Sequence, residues 1–169
     1  MLTVNGEAPF TVEQFMGQCR DFLSDALYET LDKVEQIPGT STCCDTEKKW
    51  NAFETSLRNR AAHWVAHKTK ADVTPFIREE SEVFMTLEKQ VEDAFDTDNP
   101  MEVERALDKL RWYELDTLAS GHDFDFDALF IYKIRLFILE KWSGLSKELG
   151  QEQVENSVAA ILEKSAETA

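Results

Sequence analysis

Four groups of residues have the types and spacing to do chemistry. His63 and His67 lie four apart in His63-Trp64-Val65-Ala66-His67, so on a helix both imidazoles share one face, as in metal-binding HExxH segments. The glutamate that would act as base is missing, and the pair reads as two exposed histidines at a basic helix end. His122, Asp123, Asp125 and Asp127 form an oxygen-rich run suited to a hard cation. It has no glycine or distal glutamate of a calcium loop, and its phenylalanines, Phe124 and Phe126, are expected to be buried. Helix capping accounts for its aspartates better. Cys43 and Cys44 are adjacent with no histidine near them in sequence, so neither is expected to be an activated thiol. No nucleophile elbow, phosphate loop or dinucleotide fingerprint occurs. The expectation is a protein without catalytic residues, metal or cofactor.

The fourth group differs in kind. Leu110-Arg111-Trp112-Tyr113-Glu114-Leu115-Asp116 sets two large aromatics beside an arginine on one helix. At least one of Trp112 and Tyr113 should lie off the core stripe, and exposed aromatics beside arginine are typical of interface hot spots. Arg111, Trp112 and Tyr113 are therefore candidate partner contacts. So are Arg58, Arg60, His63 and His67, at the basic end of an earlier helix.

Charge narrows the partner class. The 169 residues carry 18 Lys and Arg against 33 Asp and Glu, a net of −15 at pH 7. So acidic a chain is repelled by nucleic acid and by anionic membranes. The charge is uneven: residues 47–70 carry six bases and two acids, whereas residues 79–104 carry ten acids and one base. The odd set Cys19, Cys43 and Cys44 fits neither a disulfide framework nor a zinc ribbon, so reduced intracellular thiols are expected. The first ten residues do not read as a signal peptide, and the most apolar stretch, 124–142, holds too many charges to span a membrane. The expected location is cytoplasmic, with any membrane association made through another protein.

These residues must be positioned by helices. Gly and Pro number only 6 and 4, which leaves few turns for a sandwich or barrel. Thr11-Val12-Glu13-Gln14 is a capping box opening a helix over about 12–24. Leu27, Leu31, Val34 and Ile37 make a second amphipathic run, ended by Pro38-Gly39. Trp50, Phe53, Leu57, Ala61, Trp64 and Val65 step by three and four along a helix from about 46 to 70. Thr74-Pro75 should start a helix reaching about 96, and Asn99-Pro100 another ending near Leu118, with Gly121 beyond its end. Residues 126–142 are apolar around most of the circumference and predict the central, most buried helix. Ser143-Gly144 should break or bend it before a last helix, which carries Leu149, Val154, Val158, Ile161 and Leu162. The expected fold is all-α: an irregular bundle of about seven helices around 126–142. It forms one domain over 1–169, with an N-terminal hairpin (11–38) packed on a bundle (46–165).

The same segments carry a family resemblance. Leu110 to Asp116, then Ala119-Ser120-Gly121-His122-Asp123-Phe124-Asp125-Phe126, then Lys133, Leu136 and Leu139-Glu140-Lys141-Trp142 resemble an uncharacterised bacterial family. Trp50, Phe53, Glu54, Leu57, Arg58 and Asn59 resemble its earlier signature, and Pro9-Phe10-Thr11 through Cys19-Arg20 its first helix. That family is encoded with components of archaeal/vacuolar-type (V/A-type) rotary ATPases, the ATP synthases and proton pumps. It is similar to their all-helical C/d-type component, the socket between the membrane ring and the central stalk. The resemblance implies a non-catalytic component or assembly factor of such an ATPase, docking on the coiled-coil proteins of the stalk. The alternative is a general helical protein–protein interaction adaptor unrelated to the ATPase.

Overall fold

The computed structural model describes residues 2–4, 6–36 and 44–145, and within them the protein is all-α. Helix α1 (Val12–Phe22) starts at the expected capping box. Thr11 Oγ1 accepts from the Gln14 amide at 3.1 Å, and Gln14 Oε1 accepts from the Thr11 amide at 2.9 Å. A third free amide, that of Val12, donates to Glu140 Oε1 at 2.8 Å. A carboxylate from far along the chain thus meets the positive end of α1. Ser24 caps α2 (Asp25–Asp32), whose other end is closed by a cation. Lys133 Nζ donates to the carbonyls of Leu31 (2.8 Å) and Asp32 (3.0 Å).

Helix α3 (Asp45–Thr69) is capped by Cys44, whose Sγ accepts from the Glu47 amide, and ends on Lys70 in the left-handed region (φ 56°). Trp50, Phe53 and Leu57 are buried and Ala61 and Trp64 half-buried, whereas Val65 lies outside the stripe, 45 % exposed. A 3-10 turn (Thr74–Phe76) follows, and then residues 77–86 run without regular structure to α4 (Leu87–Ala94).

The expected helix from Thr74-Pro75 to about 96 is therefore reduced to its last third. The cause is a tertiary competitor for the backbone. The Asn59 side chain donates to the Arg78 carbonyl at 2.8 Å and accepts from the Arg78 amide at 3.0 Å. Both main-chain groups of Arg78 are satisfied by a side chain from α3, so a helical turn there would have to give these bonds up. Ring contacts carry the chain onward in step with α3. Phe53 meets Phe84 edge-on at 5.6 Å, and Trp64 stacks on Phe95 at 4.3 Å. Residues 84–95 therefore run parallel to 53–64.

Asn99 and Pro100 open α5 (Pro100–Leu118), which packs against α3 and α4. Gly121 adopts φ 90°, a conformation that strains any side-chain-bearing residue, in the turn after α5. Helix α6 covers 126–145 within the described residues, so Ser143-Gly144 do not break it there. Its first turn is capped by Asp125, whose Oδ1 accepts from the Ala128 amide at 3.0 Å. The expectation of a buried central helix holds: Phe130, Ile131, Ile134, Leu136, Ile138 and Leu139 join one core with residues of all five preceding helices. Phe124, expected inside, is fully exposed, and Phe126 is half-buried. The turn at Pro38-Gly39, Cys43 and the expected helix after Leu149 lie outside the described residues.

Candidate functional site

Two of the seven candidate contact residues are structural instead. Arg111 is 7 % exposed and Trp112 6 %, so neither is open to a partner, and their assignment as contacts is corrected. The reason is Glu54, on the buried stripe of α3 between Phe53 and Leu57 and 0 % exposed. Arg111 clasps it with two donors, Nε to Oε2 at 2.9 Å and Nη2 to Oε1 at 3.0 Å. This planar fork is the geometry at which arginine binds carboxylates best.

The pair is the centre of a larger network. Arg58 Nε donates to Glu54 Oε1 at 2.6 Å. Arg111 Nη1 donates to Asp108 Oδ1 at 2.8 Å. The other Asp108 oxygen accepts from Trp142 Nε1 at 2.8 Å and pairs with Lys141 Nζ, which also reaches Glu104 at 2.7 Å. Three acids (Glu54, Glu104, Asp108) thus balance three bases (Arg58, Arg111, Lys141), one set drawn from α3, α5 and α6. Burial disfavours the Arg111 guanidinium, but the charges and hydrogen bonds of Glu54 and Asp108 outweigh this and raise its pKa. No apolar-stripe argument singles these residues out. An acid in the middle of a buried stripe, with a base four residues on, is the signal the sequence offers.

The remaining candidates divide. Arg60 is held by Glu80 at 3.1 Å, a carboxylate that also accepts from Ser56 (2.6 Å) and Asn59 (3.0 Å). Burial would raise the Glu80 pKa, yet these donors together hold it below the usual carboxylate value. Arg58 is spent on Glu54. His63 and His67 are exposed, and Tyr113 stands 78 % exposed on α5, one residue from buried Trp112.

Two other large apolar side chains are exposed nearby in the chain's path to α4. Val83 (83 % exposed) and Met85 (91 %) project from the irregular segment that crosses to α4. That segment lies beside α5, because Glu82 and Phe84 share a cleft of about 270 Å³ with Glu114, Thr117 and Leu118. Burial raises the Glu114 pKa, and the nearby Glu82 charge raises it further. The Asn59 clasp on one side and the Phe53–Phe84 contact on the other fix the segment, so Val83 and Met85 are presented by anchored backbone.

Just beyond the C-terminal end of α5, on the wall of the same cleft, His122 Nδ1 lies 2.6 Å from Asp125 Oδ2. With Asp127 they gather three metal-capable atoms within 4.8 Å of one another. Asp125 is already occupied as the cap of α6, and the positive end of that helix opposes a bound cation. No helix among the described residues is long and apolar enough to cross a membrane.

Among the described residues the protein is all-helical, with a buried ion-pair network joining α3, α5 and α6. The sequence profile of the family described as "protein of unknown function (DUF2764)" matches residues 45–165, and the chain belongs to that family. No curated protein matches the chain, and no solved structure does.

Proposed function

We propose that this protein is a non-catalytic docking component of a V/A-type rotary ATPase, binding a central-stalk protein during its coupling or assembly. The observation that carries a docking role is the exposure of Val83, Met85 and Tyr113 on two anchored segments held side by side. Because the backbone beneath them is already fixed, binding has to order only the side chains and not the chain that carries them. Val83 and Met85 lie within the acidic run 79–104, and Glu82 and Glu114 share the adjoining cleft, which favours a partner with a basic face, whose binding weakens as salt rises. The choice of an ATPase stalk as that partner rests on the resemblance carried by Leu110 to Asp116 and by Trp50 to Asn59.

The test is binding of the purified full chain to purified central-stalk proteins, with a tagged pull-down from the native cell beside it. Recovery of stalk proteins in near-equal amounts supports the reading, provided that Val83→Asp with Tyr113→Asp removes it while the circular dichroism is unchanged. Recovery of unrelated proteins through the same face supports the adaptor alternative. Stalk binding that survives the double variant sinks the assignment of this face.

A further inference from the structure

A second surface, independent of the docking face, carries unused ligand chemistry. His63 and His67 stand one turn apart on α3, and Glu88 and Glu92 one turn apart on α4. The parallel course of the two elements brings both pairs to the wall of one open cleft of about 640 Å³, lined also by Arg60, Trp64, Glu80 and Val91. Among the described residues none of the four side chains makes a hydrogen bond or ion pair. The charged groups around them are spent elsewhere. Arg60 and Glu80 hold each other, and Lys68 lies over the Trp64 ring at 4.8 Å and pairs with Asp98 at 3.3 Å.

Two imidazoles and two carboxylates facing one cleft form a nitrogen–oxygen donor set that suits zinc and its neighbours. The C-terminal end of α3, with its negative dipole, adds attraction for a cation beside His67. Sequence spacing alone offers only the two histidines. The acids come from 25 residues away and meet them only through the fold. We propose that this cleft binds one divalent transition-metal ion of the zinc class, with nitrogen ligands from His63 and His67 and carboxylate oxygen from Glu92, seconded by Glu88. As they stand, three of these ligand atoms do not lie within 4.8 Å of one another, so the side chains must turn to close on the ion. All four are exposed, so the turn breaks no hydrogen bond or ion pair among the described residues. The bound ion clips α4 to the end of α3.

The experiment is calorimetric titration of the full chain with Zn²⁺, repeated with Co²⁺ to read the ligand field in the visible spectrum. One ion per chain is expected. Binding should vanish in H63Q/H67Q, weaken in E92Q, and persist in H122Q and in C43S/C44S, each variant first checked for native circular dichroism. Absence of binding overturns the proposal. So does binding that survives H63Q/H67Q, or that is lost in H122Q or in C43S/C44S, since the ion would then sit elsewhere.

Discussion

Glu54 and Arg111, 57 positions apart in sequence, meet through two parallel hydrogen bonds of 2.9 and 3.0 Å where solvent reaches almost nothing of either. Such a pair adds modestly to stability while whole, but losing one partner strands a buried charge. Glu54→Ala should therefore cost about 3–5 kcal/mol, read as a shift in the urea midpoint. Glu54→Leu with Arg111→Met should recover much of that loss, because no buried charge is left unpaired at that point. A Glu54→Ala midpoint within about 0.5 kcal/mol of the parent would show that the network does not hold α3 to α5.

Asn59 decides where α4 begins. Its amide satisfies both backbone groups of Arg78, and its Nδ2 also reaches Glu80. Asn59→Ala should expose the Arg78 amide to exchange and lower stability by about 1–3 kcal/mol. Hydrogen exchange followed by mass spectrometry gives the local readout. The increase should centre on residues 77–86 and leave α6 protected; uniform loss of protection would mean that Asn59 supports the whole core.

How far the fold is legible in the sequence follows from the range of the forces at each site. Thr11 with Gln14, and Asn99 with Pro100, fix helix starts through bonds spanning two or three residues, and those starts are legible to within one residue. The α6 core is legible because its apolar residues cover most of the circumference. The start of α4 is not, since Asn59 acts on Arg78 across 19 positions. For the same reason Arg111 and Trp112 look like surface residues in the sequence: Glu54 and Arg135, which cover them, come from other helices. Of the proposed docking face only Tyr113 stands out from the sequence. Val83 and Met85 fall in an expected helix whose first half does not form.

Trp112 and Tyr113, neighbours on α5, should separate stability from binding. Trp112 is packed in the core under the Arg135 guanidinium, which lies 5.4 Å from the ring centre. Trp112→Ala should cost about 3–5 kcal/mol. Tyr113 faces solvent, so Tyr113→Ala should move the unfolding midpoint by no more than about 0.5 kcal/mol while weakening capture of the stalk protein. A large stability loss in Tyr113→Ala would place the ring in the core and remove it from the docking face.

His122 and Asp125 give the protein a titration with a definite sign. The hydrogen bond to Asp125 raises the His122 pKa above 6.5, and the same contact, with the Ala128 amide, lowers that of Asp125 below 3.8. A histidine whose folded pKa is raised contributes stability that is fully present below its unfolded value and lost as pH rises through its folded value. Stability from this pair should thus fall as pH climbs from about 6.5 through the raised value. The carboxylate side should fade only in acid, as pH drops from 3.8 through the lowered value of Asp125. Proton NMR of the His122 ring should show the raised midpoint in the parent and its return toward 6.5 in Asp125→Asn. An unchanged midpoint in that variant would assign the shift to the neighbouring Asp127, the other acid that raises it.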